Sequence, residues 1–455
     1  MGRFTFILWP SGISSGSLLK VNIMNRKCYW VFVLVCLVTL QGRSQAGSVP
    51  PGPVKVEVRK VGSGYQLFRG GQPYFIKGAG GSNYMNRVAA YGGNSIRTWG
   101  TREGQKVLDS AHRYGLTVLM GLGVTAERHG FNYDDTAAVR RQFDRVKADV
   151  LKYKDHSALL AWGIGNELNL LYQNPKVWDA VNDIARMIHQ VDPAHPATVV
   201  LAGINKKEVD YIKAKCPDID ILAINTYGGL ASLPGQVRSV GWSGPYMVTE
   251  WGPTGHWEGL QTEWKMPIEE TSSEKAAVYK SRYEYSVERD KEQCLGSYVF
   301  LWGQKQERTP TWYGLFTERG EESEVIDVMQ YLWTGQWPAN KAPHIFSLQL
   351  DGRKATQSVY IQPGRQYDIV AAAVDPDADQ LTYRWELLPE PTKVGEGGDH
   401  EDRPGPVPGA ITGEANKGKA ALVAPPAEGA YRLFVYVTDG HGNVATANLP
   451  FYVRQ

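Results

Sequence analysis

Cysteine is scarce: four in 455 residues, too few for a disulfide framework. Two of them, Cys28 and Cys36, fall in an N-terminal stretch that reads as removable. That leaves Cys216 and Cys294, whose pairing the sequence leaves open. Net charge is nearly absent as well. A formal +2 gives no electrostatic case for nucleic acid or for an anionic membrane surface. A long hydrophobic run is missing, because the apolar stretch at 29–40 is too short to span a bilayer comfortably. No glycine-rich phosphate-binding turn follows the first strand of the repeating pattern, which disfavours an open doubly wound sheet. Nothing points to zinc, a nucleotide or flavin, so no cofactor and no metal are expected.

What is present is ample. Hydrophobic residues make up 42% of the chain, enough for a full core, and the length suits one large domain plus a smaller one. The 14 tryptophans and 24 tyrosines suit stacking on sugar rings, although a generous core would also use them.

The N-terminus reads as a targeting segment. Asn25-Arg26-Lys27 is a basic start, residues 29–40 are the apolar centre, and Ser44-Gln45-Ala46 offers a small-x-small cleavage site. Residues 1–46 are therefore expected to be a signal peptide, with Met24 an alternative start, and the mature protein to be secreted or periplasmic, off the membrane. Residues 47–53 read as a linker. From 54 a hairpin pattern leads into apolar runs at 74–78, 95–98, 117–121, 159–164, 198–201, 219–225, 246–249 and 297–302. Amphipathic stretches such as 137–153, 175–191 and 274–290 separate them. Eight strands alternating with helices predict an α/β fold, a (β/α)8 TIM barrel, over residues 54–340.

Beyond Trp333 the helical period stops. Short strands at 366–374, 381–388, 420–423, 431–438 and 445–453 predict a C-terminal immunoglobulin-like β-sandwich over 341–455, with 390–408 as one of its loops. Asp375, Asp377 and Asp379, with Glu386 beyond, superficially mimic a calcium loop. Gln380 stands where its glycine should be, and a plain Asp/Pro turn is the simpler reading.

Two glutamates carry the functional reading. Glu167 ends Leu159-Leu160-Ala161-Trp162-Gly163-Ile164-Gly165-Asn166-Glu167, and Glu250 ends Tyr246-Met247-Val248-Thr249-Glu250. A carboxylate closing a buried apolar run escapes the interior by pointing into a cleft at the sheet's C-terminal edge. Asn166 closes the same run as Glu167, and Arg97, Tyr227 and Trp302 close other runs in the same way. Glycoside hydrolysis needs one carboxylic acid to protonate the leaving oxygen and a second carboxylate to attack the anomeric carbon or to activate water there. An arginine and a tyrosine would orient the second carboxylate, an asparagine would bind a sugar hydroxyl, and a tryptophan would floor the site. The bland alternative is a pair of structural carboxylates salt-bridged at the barrel rim.

With Gly165-Asn166-Glu167 on the fourth strand and Thr249-Glu250-Trp251-Gly252 on the seventh, residues 65–337 resemble the clan A retaining glycoside hydrolases. The catalytic barrels of families 2 and 5 are the most similar. Arg97, Tyr227 and Trp302 fall in the order those families use. The resemblance implies Glu167 as general acid/base, Glu250 as nucleophile, and a β-linked glucan or mannan as substrate. No long sandwich domain precedes the barrel, and Leu168 follows Glu167 where the Asn-Glu-Pro variant has proline; both departures leave the sugar open. Val374-Asp375-Pro376-Asp377, Leu381-Thr382-Tyr383-Arg384-Trp385, Gly429-Ala430-Tyr431 and the turn ending at Asn443 resemble PKD-type modules. Transglycosylation on the same site, or a non-catalytic carbohydrate-binding or adhesion role, are the alternatives. His129, Trp257 and Trp264 are further candidates for sugar contact, each matched by a plain loop or packing reading. Oligomeric state is not legible.

Overall fold

The computed structural model describes residues 52–412 and 416–455. The expected signal peptide, and the linker as far as residue 51, lie outside the described residues. An antiparallel sheet of three strands comes first: β1 (Val56–Val61), β2 (Gly64–Arg69) and β3 (Gln72–Tyr74). It is the expected hairpin with one strand added. Its β1 and β2 are tied to the segments that enter later strands, by Val56 N–H to the Ala194 carbonyl at 2.8 Å and Tyr65 N–H to the Glu292 carbonyl at 2.7 Å. The sheet therefore closes the barrel at the strands' N-terminal ends.

The barrel strands are β4 (Ile76–Gly80), β5 (Ser95–Arg97), β6 (Thr117–Leu122), β7 (Leu159–Ile164), β8 (Ala197–Ala202), β9 (Ile221–Asn225), β10 (Tyr246–Trp251) and β11 (Cys294–Val299). Each pairs in parallel with its sequence neighbours, and β11 closes on β4. All six residues of β6, β7, β10 and β11 are buried, because helices cover one face and the barrel interior the other. That double burial is why these strands read as unbroken apolar runs.

One helix follows each strand in turn: α1 (Met85–Ala90), α2 (Gly104–Arg113), α3 (Thr136–Tyr153), α4 (Lys176–Val191), α5 (Lys206–Lys215), α6 (Leu233–Ser239), α7 (Ser272–Arg282) and α8 (Glu324–Thr334). In α4 the buried Val177, Val181, Ile184, Ala185 and Ile188 recur on one helical face. In α7, Thr271 and Glu274 form a reciprocal capping box, with the Glu274 N–H donating to Thr271 Oγ1 at 3.2 Å and the Thr271 N–H to Glu274 Oε2 at 2.8 Å. Losing such a cap costs about 1 kcal/mol. The helix expected at 274–290 divides: α7 stops at Arg282 and a π-helical turn, Tyr283–Glu288, follows.

The C-terminal region is β-rich. One sheet holds β12 (Glu322–Ser323), β14 (Val359–Ile361), β16 (Thr382–Pro389), β19 (Gly429–Thr438) and β20 (Asn443–Val453). The other holds β13 (His344–Leu350), β15 (Gln366–Val374), β17 (Ile411–Thr412) and β18 (Lys419–Val423). Leu348, Ile369 and Leu422 from one sheet share a core with Leu433, Val435 and Phe451 from the other. This region is fastened to the barrel. Asn448 Nδ2 donates to Glu269 Oε2 at 2.5 Å and Arg432 Nη2 to the Pro267 carbonyl at 2.8 Å, all in buried surroundings. Trp264, a candidate sugar contact, packs on Tyr360 and Tyr452 at this junction instead. Cys216 and Cys294 are both buried and unpaired.

Candidate active site

Arg97 is the hub. Its Nη1 donates to Glu250 Oε1 at 2.9 Å, to the Thr249 carbonyl at 2.7 Å and to Asn225 Oδ1 at 3.2 Å, and its Nη2 donates to Asn166 Oδ1 at 2.6 Å. The guanidinium is almost wholly buried, so its contact with the Glu250 carboxylate is poorly screened. Glu250 takes two more donors: Trp99 Nε1 on Oε1 at 2.7 Å and the Tyr227 hydroxyl on Oε2 at 3.0 Å. Every partner of this carboxylate donates to it, so both its oxygens act as acceptors.

Glu167 sits differently. It lies just beyond the end of β7, where Gly165 at φ +67° and Glu167 itself at φ +52° turn the chain sharply. A non-glycine residue in this left-handed region carries roughly 1–2 kcal/mol of backbone strain, which is tolerated where it aims a functional side chain. Its one side-chain partner among the described residues is Asn225, whose Nδ2 donates to Glu167 Oε1 at 2.9 Å. Burial first, and then the negative charge of Glu250, push the Glu167 carboxyl up to about 7. Asn225 thereby touches both halves of the site, since its Oδ1 accepts from Arg97 and from Thr249 Oγ1.

Glu167 and Glu250 open into a cleft of about 630 Å³ together with Tyr227, His256, Trp257 and Phe300. Burial pushes the Tyr227 phenol far up, with the charge of Glu250 adding to it, so the hydroxyl stays a donor. Burial, aided by the nearby charge of Arg308, pushes the His256 imidazole down to about 4, which keeps it neutral near pH 7.

Five of the six residues singled out by sequence, Arg97, Asn166, Glu167, Tyr227 and Glu250, meet here. The sixth does not. Trp302 is fully buried, packed on Phe316 and Trp333, with its indole N–H on the Tyr84 carbonyl at 3.4 Å. The eighth strand spans 294–299 rather than 297–302, so Trp302 belongs to the segment beyond it and seals the core behind α8 instead of flooring the cleft. Trp99 and Phe300 escaped the sequence reading; Asn225 was legible as a polar strand end, but its bridge from Glu167 to Arg97 was not. Trp99 had a signal, being two residues past Arg97 and therefore of the same parity. Gly121 clears its path, because a Cβ there would stand 2.5 Å from the Trp99 carbonyl carbon. His129 sits outside the cleft lining and meets Asp399 Oδ1 at 3.3 Å.

On the C-terminal sheets, Asp375 turns its own loop, its Oδ1 accepting the N–H groups of Asp377 at 2.8 Å and Asp379 at 3.0 Å, as an Asp/Pro turn does. Folding adds Asp439, and oxygens of Asp375, Asp379 and Asp439 lie within 4.8 Å of one another, an acidic cluster removed from the two glutamates.

Fold and site together are consistent with a (β/α)8 barrel of the clan A glycoside hydrolase type. Residues 86–291 match the family described as glycosyl hydrolases family 2, TIM barrel domain. Among solved structures, the chain is similar to the β-D-glucuronidase of Dictyoglomus thermophilum at 16% identity and a TM-score of 0.49, over 62% of this chain and 54% of that one. It is similar to β-glucuronidase 2 of Bacteroides uniformis at 14% identity and a TM-score of 0.49, over 88% and 48%. The family 5 mannosidase of Rhizomucor miehei aligns at 13% identity and a TM-score of 0.45, over 61% and 96%. The chain thus spans about half the length of the two glucuronidases. No curated protein matches it.

Proposed function

We propose that this chain is a secreted retaining β-glycosidase acting on a β-linked oligo- or polysaccharide of glucan or mannan type. The observation that carries the reading is the unlikeness of the two carboxyl groups: Glu250 held by Arg97, Trp99 and Tyr227, and Glu167 buried with a single amide donor and raised to about 7. One is furnished as a nucleophile, the other as an acid that still holds its proton near neutrality. In the first step a Glu250 oxygen bonds to the anomeric carbon as the bond to the leaving oxygen breaks, and Glu167 gives that oxygen its proton. In the second, Glu167 takes a proton from water, whose oxygen bonds to the anomeric carbon and releases Glu250. No cofactor enters either step. The paired sheets and shared core of the C-terminal region support its reading as an immunoglobulin-like module of PKD type spanning 341–455, with the barrel spanning 54–340.

The test is product analysis of residues 47–455 against β-glucans, mannans, xylans and aryl β-glycosides, with Glu250→Ala alongside. Turnover with retained configuration, lost in the variant and restored by azide with inverted product, supports the reading. Full activity in Glu250→Ala would sink it.

A further inference from the structure

Between β16 and β17 the chain leaves the C-terminal sheets and runs onto the barrel mouth before returning. Gly395, Glu396, Gly397 and Gly398 line the same cleft as Glu167 and Glu250. On one side, Arg128 from the segment after β6 donates to the Glu396 carbonyl at 3.1 Å and to Asp399 Oδ2 at 3.2 Å. On the other, Lys305 from the segment after β11 donates to the Gly398 carbonyl at 2.6 Å. β6 and β11 are not neighbours in the closed barrel, since β4 and β5 stand between them, so the segment straps across the mouth. Glu401, 4% exposed, pins it from beneath: Oε1 accepts the Gly395 N–H at 3.0 Å and Oε2 the Arg308 N–H at 2.7 Å.

The fit is close at one point in particular. A Cβ on Gly397, at φ +57°, would stand 2.7 Å from Leu170 Cδ2 and 3.1 Å from Arg128 Cζ. Leu170 belongs to the turn that carries the acid, its N–H donating to the Glu167 carbonyl at 3.0 Å. The strap therefore rests on the Glu167 side of the cleft. The cleft, about 630 Å³, falls within the size range of a small-molecule pocket, roughly 300–1,000 Å³.

We propose that this strap is the specificity element of the cleft: it walls the side where the leaving group lies, so that glycosides with a short leaving group react while those whose leaving group is a long chain are shut out. The inference rests on the reading of Glu167 as the acid that protonates the leaving oxygen. It makes the C-terminal region part of the active site.

The full chain is compared with a deletion of residues 395–398 and with Asp399→Ala, which removes the acceptor for Arg128 and His129 at unchanged strap length. The readout is kcat/KM on an aryl β-glycoside and on a ladder of β-linked oligosaccharides of the preferred sugar. The ratio of long to short substrate should rise at least about tenfold in the deletion and about threefold in Asp399→Ala. If the deletion does not fold, as judged by circular dichroism, Asp399→Ala decides. A ratio within about twofold of the parent in the folded variants overturns the proposal. A parent that turns over no glycoside overturns the glycosidase reading itself, whereas an active parent with an unmoved ratio overturns only the strap.

Discussion

The two ends of the barrel are built from the same eight strands and hold opposite chemistry. Toward the strands' N-terminal ends, Val56, Leu67, Ile76, Leu119, Leu160, Ile221, Met247 and Leu295 pack into one apolar cluster under the sheet of β1, β2 and β3. The hydroxyls among them satisfy each other, Ser95 with Tyr298 at 2.9 Å and Tyr74 with Thr117 at 3.0 Å. At the other end Arg97, Asn166, Asn225, Glu250 and Glu167 form a polar network with a left-handed residue in it. Dry packing at one end is what lets the other hold an arrangement that stability alone would not select. The comparison predicts that substitutions at the mouth change turnover and spare the fold, while those at the closed end do the reverse.

The largest effect belongs to Glu250→Gln, which keeps the shape and acceptor oxygen of the side chain but removes the charge. Its kcat on an aryl β-glycoside should fall by on the order of 10⁴-fold or more, with a melting temperature near that of the parent. A variant that kept its activity would end the division at once. At the other end, Leu119→Ala empties a fully packed position in the apolar cluster. Denaturant unfolding should show a loss of about 2–5 kcal/mol. Its kcat well below the melting temperature should stay within about twofold of the parent. A large loss of kcat there would mean that strain passes from the closed end to the mouth.

How far the sequence discloses these two ends differs, for a physical reason. Strands buried on both faces print themselves as apolar runs, so a charged residue closing one is conspicuous; Arg97, Glu167 and Glu250 are all legible in this way. The same signal misleads where an apolar run outlasts its strand. Phe300-Leu301-Trp302 continues the apolar pattern of β11 past the strand's last residue, Val299, and so Trp302 reads as a site residue and folds as core. Trp99 lies past the end of β5, where only parity marks it. The strap was legible as a loop at 390–408, but its place over the cleft was not. That depends on how the C-terminal sheets dock through Arg432 and Asn448, which no local pattern encodes.

The pH dependence separates the ends further. The Glu167 carboxyl is raised from 4.5 to about 7 by burial and by Glu250, so the folded state binds a proton that the unfolded state has released between those values. Stability from this group is therefore present below about pH 4.5 and is lost as pH rises through about 7, on the order of 3 kcal/mol in all. Asp327, raised from 3.8 to about 7 by burial against the opposing hydrogen bond from the Ala342 N–H, acts in the same direction, so the parent alone cannot apportion the slope. Glu167→Gln can. Urea unfolding at pH 5 and pH 8 should show a smaller loss in Glu167→Gln than in the parent, and the alkaline limb of kcat/KM near pH 7 should vanish with the activity. An unchanged pH slope in the variant would mean that Glu167 is solvated and ordinary.

The smallest effect is expected at Tyr227, and it tests how finely the mouth is divided. The hydroxyl gives Glu250 Oε2 its hydrogen bond at 3.0 Å, while the ring packs edge-on against Phe300, Tyr313 and Trp257. Tyr227→Phe keeps the ring and removes the donor. A hydrogen bond to a charged group is worth about 1.5–3 kcal/mol, so kcat/KM should fall by roughly 10- to 150-fold with the melting temperature held. If instead the variant keeps its turnover and loses stability, the phenol belongs with the packing of the closed end, and Arg97 and Trp99 alone position the nucleophile. If turnover falls and stability holds, the boundary between the two chemistries runs through a single side chain, with the Tyr227 ring on one side of it and the hydroxyl on the other.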